Sequence, residues 1–146
     1  MIDLGDIDPI LQADVAGLAA DMRAHGYQRA DPVREVFALL GDRWTTLILL
    51  VLNIGAWRHA DLRRVLGRLA AEGRISQRVL TLKLRALERD GFVARHATAD
   101  VPPMVSYALT PLGRDLVAQA RIVMAWIHAS REAIHAARDA YDAAKS

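Results

Sequence analysis

The chain has 146 residues, about one domain's worth and enough to bury a core, with 53% hydrophobic and 25% charged residues, the balance of a folded soluble domain. It has no cysteine, which removes disulfide frameworks, thiolate zinc sites, thiol nucleophiles and cysteine redox switches together. The formal net charge is only +2, yet Arg58 to Arg95 holds ten basic residues against four acidic ones, so a basic middle lies between acidic flanks, as expected of a nucleic-acid-binding element joined to an assembly element.

Residues 8 to 26 read as a helix with Ile10, Leu11, Val15, Leu18 and Met22 on one side and Gly26 as its end. Asp31-Pro32, an N-cap residue followed by a first-turn proline, opens a second, short helix through Val33, Phe37, Leu39 and Leu40 to Gly41. From Arg43 to Asn53 the chain is apolar on nearly every side, which predicts a buried central helix ended by Gly55. Asp61 to Leu66 predicts another helix, followed by a polar loop from Gly67 to Arg74. Ser76 then caps a helix from Gln77 to Asp90, with Gly91 behind it. On that helix Val79, Leu80, Leu84, Ala86 and Leu87 fill an inner arc, while Arg78, Thr81, Arg85 and Glu88 recur at steps of three and four on the outer face.

Beyond Gly91 the period changes to alternation, predicting a β-hairpin of Val93 to Ala97 and a run with Val105, Tyr107 and Leu109, joined by a Thr98 to Pro103 tip. Thr110-Pro111 opens a last, long helix from 111 to 141, on which Leu116, Ala120, Val123, Ile127, Ser130, Ile134, Ala137 and Tyr141 form a heptad-like seam. A seam of that length needs a partner helix. The longest strictly apolar run, Leu47 to Leu52, is far short of the roughly 18 to 20 residues needed to cross a bilayer. The opening Met1-Ile-Asp-Leu-Gly-Asp is acidic and lacks the pattern of a secretory signal, so a cytoplasmic protein with no membrane partner is expected.

Helix, loop, outward-basic helix and hairpin is the order of a winged helix-turn-helix, whose second helix enters the major groove while flanking elements touch the backbone. The expected fold is therefore mainly α with a small β-hairpin: an N-terminal dimerisation helix in 1–30, a winged helix-turn-helix core in 31–110 and a C-terminal dimerisation helix in 111–146. Arg78 and Arg85 can present paired donors to guanine or phosphate, Gln77 can pair with adenine, and Thr81 can touch a thymine methyl or a phosphate. Ser76 and the first-turn amides face a phosphate with the positive end of the helix dipole. With Lys83 these make up the reading-helix candidates, and Arg63, Arg64 and Arg95 are the candidates for contact from outside it.

Four blocks in order carry a resemblance. Leu39-Leu40-Gly41-Asp42-Arg43-Trp44-Thr45-Thr46-Leu47-Ile48-Leu49, Asp61-Leu62-Arg63-Arg64, Ile75 to Gly91 and Val101-Pro102-Pro103 to Gly113 closely resemble the HxlR-type family of bacterial transcriptional regulators, over about residues 31 to 127. The resemblance implies a homodimeric winged-helix regulator that binds an inverted-repeat operator in double-stranded DNA, with terminal helices as the dimer interface, and it implies no enzyme. Many members sense oxidants with a cysteine just before the proline of the first helix; here Asp31-Pro32-Val33 stands there, so any sensing is cysteine-independent. The family commonly has a basic residue after the paired prolines of the wing, where this chain has Met104 beside a tip containing Asp100, and the Gly67 to Arg74 connection is longer than the family's usual turn.

The expected dimer interface comprises Leu11, Val15, Leu18, Leu116, Val123, Ile127 and Ile134, and a candidate effector pocket lies at Trp44 and Trp126, where plain aromatic packing is the competing reading. The histidines at 25, 59, 96, 128 and 135 are scattered, no phosphate loop or hydrolase elbow is present, and neither a metal nor a cofactor is expected. The alternative function is a winged-helix protein-interaction module whose basic stripe docks an acidic partner.

Overall fold

The computed structural model describes residues 5–26 and 28–146, so the acidic opening Met1 to Leu4 lies outside the described residues. The chain divides into two compact units, Met1–Asp42 and Arg43–Ser146.

The first unit holds α1 (Pro9–His25) and α2 (Pro32–Gly41), both opened as their sequences dictate. Asp8 accepts from the amide of Ile10 at 3.0 Å and Asp31 from that of Val33 at 2.9 Å, each before a first-turn proline whose missing N–H costs nothing there.

The second unit is built on α3 (Thr45–Leu52), which buries Thr45, Ile48, Leu49, Val51 and Leu52. A two-residue strand, β1 (Trp57–Arg58), leads into α4 (His59–Leu69) and then α5 (Gln77–Arg89). β2 (Val93–Ala97) and β3 (Val105–Leu109) pair antiparallel, with Val93 opposite Leu109 and Ala97 opposite Val105. β1 pairs with the other edge of β3, Trp57 opposite Tyr107, which makes a three-stranded sheet in the order β1-β3-β2. The expected two-stranded hairpin is thus the larger part of a wing closed by a third strand. Two residues carry no alternation from which a strand could be read, and β1 is held by a partner distant in sequence.

α4 runs to Leu69, past Gly67, where a loop was expected to begin. A Cβ on Gly67 would stand 3.7 Å from the backbone of Arg74, an ordinary contact distance, so the following turn lies against the helix at this residue and the glycine does not end it. The irregular connection therefore shrinks to residues 70–76. In α5, Leu80, Leu84 and Leu87 are buried, but Val79, expected in the inner arc, is 37% exposed at its edge.

α6 (Pro111–Ala129) is capped by Thr110, whose hydroxyl accepts from the amide of Gly113 at 3.0 Å and donates to the carbonyl of Gly91. Gly113 is buried against Phe92, and any Cβ there would collide with the Phe92 carbonyl, which locks the start of α6 to the end of α5.

The expected single helix from 111 to 141 is two helices, because the chain breaks at Ser130 before α7 (Arg131–Lys145). Ser130 sits at φ −95° and ψ 2°, and its amide bonds both Trp126 O at 2.9 Å and Ile127 O at 3.2 Å, the tightened geometry of a helix end. The side chain of Ser130 makes no capping bond to α7, and the apolar seam is interrupted there by the backbone geometry of the helix end. Leu62, Leu66, Leu80 and Leu87 have no exposed surface and form the centre of the core with Ile48. Each such side chain contributes about 1.5–3 kcal/mol through burial.

Candidate nucleic-acid interface

α4, the turn at 70–76 and α5 form the helix-turn-helix, and its geometry is set by bonds the sequence alone does not reveal. Ser76 Oγ accepts from the amide of Val79 at 3.1 Å, ending the turn and starting α5 at Gln77. Arg63 Nε donates to the carbonyl of the buried Ile75 at 2.9 Å, so this arginine, expected at the DNA backbone, ties the turn to α4. Arg64 pairs with Asp61 at 3.1 Å one turn earlier; both are well exposed, so the pair is weak and readily exchanged for a phosphate.

On α5, Gln77, Arg78, Arg85 and Arg89 are exposed. Arg78 and Arg85 stand seven residues apart and therefore on nearly one side, two turns from each other. Lys83 does not join them: it lies two residues from Arg85, about 200° around the helix, and is half-buried. Thr81 is half-buried too. Its Oγ1 donates to the carbonyl of Gln77 at 2.8 Å and meets His59 Nε2 at 3.0 Å. Because the hydroxyl proton goes to Gln77, the bond with His59 assigns the ring proton to Nε2.

His59 opens α4, packs edge-on against Tyr107 of β3 with ring centroids 6.2 Å apart, and so ties both helices of the motif to the sheet. Burial, and then the nearby Arg63 guanidinium, lower its pKa from the ordinary 6.5, so the ring is neutral at pH 7. Nothing in the sequence marked His59 out from the other histidines, because its partner Thr81 lies 22 residues away and only the tertiary fold joins them.

The wing places Arg95 on β2, exposed and opposite Tyr107. Arg58, which the sequence did not single out individually, donates from Nη2 to Met104 Sδ at 3.6 Å, so β1 reaches the base of the wing tip. Thr98 and Met104 close that tip through two bonds of 2.9 Å, Thr98 N to Met104 O and Met104 N to Thr98 Oγ1.

Outside the motif, Trp44 is half-buried at the cap of α3, and Trp126 is 65% exposed on α6. Of the expected interface residues, Leu11, Leu18, Val123 and Ile127 are exposed, and Val15, Leu116 and Ile134 are half-buried. His128 Nδ1 lies 2.9 Å from Arg131 Nη2, and among the described residues no group of three or more His, Asp or Glu is placed to hold a metal ion. No helix of the described residues is long and apolar enough to cross a membrane.

Comparison with known proteins agrees with this architecture. The HTH-type transcriptional regulator YtfH of Escherichia coli is 42% identical over 96 residues, covering 66% of this chain and 71% of the relative. The solved structure of ytfH from Salmonella typhimurium superposes with a TM-score of 0.60 at 36% identity, over 77% of this chain and 95% of that one. The reduced form of the transcriptional regulator YodB from Bacillus subtilis does so with a TM-score of 0.56 at 34% identity, over 66% of this chain and 89% of that one. Residues 39–135 match the family described as HxlR-like helix-turn-helix, which takes in α3, the helix-turn-helix, the wing and all of α6. With that match added to the winged geometry, the chain belongs to the HxlR-like helix-turn-helix family of transcriptional regulators.

Proposed function

We propose that this regulator acts in the cytoplasm as a homodimer that binds an inverted-repeat operator in double-stranded DNA, with α5 in the major groove. The observation that carries the reading is the outer face of α5. Gln77 and Arg78 stand exposed at the end nearest the Ser76 cap, where helix-turn-helix proteins touch base edges, and Arg85 continues the same face two turns on. Arg64 on α4 and Arg95 on the wing supply exposed cations on either side for phosphates. Arg63 contributes by holding the turn. Self-association through α6 and α1 is supported by the exposed Val123, Trp126, Ile127, Leu11 and Leu18, apolar side chains of the kind that mark interfaces. With no cysteine in the chain, operator binding does not respond to thiol-specific oxidants.

Selection of bound sequences from a random DNA pool tests this. The expected result is an enriched inverted repeat whose half-sites are centred about 10–10.5 base pairs, or a multiple, apart. Binding with no enriched sequence overturns the reading and favours a module that docks an acidic protein.

A further inference from the structure

We propose that His59 is a positioning residue for the reading helix, holding the Thr81 hydroxyl on its own helix carbonyl so that Thr81 meets DNA through its methyl group and not as a hydrogen-bond donor. The inference rests on α5 being the reader. A threonine hydroxyl has one proton and two lone pairs. At Thr81 the proton is given to the Gln77 carbonyl at 2.8 Å and one lone pair receives His59 Nε2–H at 3.0 Å. A threonine bonded only to its own helix carbonyl exchanges that bond easily for another partner. Here the second bond comes from a different helix, and the ring that makes it is itself fixed against Tyr107.

Thr81 therefore has no proton to donate to guanine, thymine or phosphate without breaking a bond within the protein. What remains uncommitted is the methyl, which recognises the C5-methyl of thymine in the major groove, and one lone pair, which finds no donor on the major-groove edge of thymine. Polar base edges are left to Gln77 and Arg78, which are exposed on the same helix. In this arrangement α4 does more than cross the backbone: its first residue decides which chemistry one position of α5 presents.

The test uses the full-length protein and the operator it selects, with four variants. Thr81→Val keeps a methyl in place of the hydroxyl and is expected to retain the preferred bases, with affinity within about twofold. Thr81→Ser keeps the hydroxyl and loses the methyl; it is expected to bind about fourfold more weakly, as does wild type when the contacted thymine is replaced by deoxyuridine. His59→Phe keeps a ring beside Tyr107 but has no donor, so the hydroxyl, held only by its own helix carbonyl, can turn to donate and should broaden preference at that position toward guanine, whose O6 and N7 accept. His59→Gln restores a donor and should restore thymine.

A changed base preference in Thr81→Val, or full affinity for deoxyuridine at every thymine of the half-site, overturns the proposal. So does an unchanged preference in His59→Phe. If His59→Phe does not fold, the Thr81→Val and deoxyuridine arms still decide. Loss of all sequence preference in wild type removes the α5 reading itself, whereas a motif that depends on Arg78 but is rewritten by Thr81→Val removes only the role of His59.

Discussion

α5 and the last turns of α6 contain the same kinds of apolar side chain and treat them oppositely. Leu80, Leu84 and Leu87 of α5 are at most 1% exposed, while Ile122, Val123 and Trp126 of α6 are 64%, 55% and 65% exposed. Both helices belong to the same compact unit. The difference is that α5 faces a core completed within the chain by α3, α4 and the sheet, whereas α6 spends only its first turns there, burying Gly113, Val117 and Ala120. One region is finished by its own chain; the other presents apolar surface that water penalises and a partner would cover.

Substitutions should separate the two regions. The largest effect is expected at Leu84→Ala, which leaves a cavity in the closed core and should cost about 2–5 kcal/mol in denaturant unfolding, whereas Ile122→Ala should cost under about 0.5 kcal/mol. Equal losses would erase the distinction. Next, Ile127→Asp should weaken self-association by about a hundredfold in sedimentation, because a charge would be carried into a dry interface, while the unfolding midpoint of the dilute protein stays near wild type. A variant that remains dimeric would move the interface elsewhere.

A smaller effect separates positions within α5 itself. Arg85, two turns from the cap, is expected to meet phosphate, so Arg85→Ala should weaken all sequences alike and lower the slope of log affinity against log salt by about one. The smallest is a pH effect at His59. Its pKa is lowered from 6.5 by burial and then by Arg63, so the unfolded chain takes this proton first. Stability from this group is fully present above pH 6.5 and is lost as pH falls from there through the folded value. The melting-temperature gap between wild type and His59→Phe should therefore narrow as pH falls from neutral toward 5; a constant or widening gap contradicts the assignment.

Much of the fold was legible because it is locally encoded. Asp31, Ser76 and Thr110 cap the helices expected of them, and the periods of α5 and of the β2–β3 hairpin were correct. Failures came where a distant contact overrides the local signal. Gly67 looks like a helix stop but is the point where a turn lies against α4, and β1 exists only by pairing with β3. At Ser130 the apolar spacing of the last helix continues across a residue whose backbone does not continue the helix.

In the site, the exposed residues of α5 followed from helical spacing. The carbonyl of Ile75 that holds Arg63 and the ring of His59 that holds the Thr81 hydroxyl leave no trace at fixed sequence spacing, so those bonds are not legible in the sequence. Lys83 stands two residues from Arg85, which puts the two on different sides of the helix.

The central claim is that the closed core reads bases through the end of α5 nearest Ser76. The most direct measurement is the affinity of wild type and Arg78→Ala for the selected operator and for operators substituted at each base pair of one half-site. The account predicts a loss of about 1–3 kcal/mol for Arg78→Ala on the selected operator, with discrimination relaxed at one position of the half-site and kept at the others. Wild-type affinity, or a uniform loss that leaves every base preference intact, would contradict it.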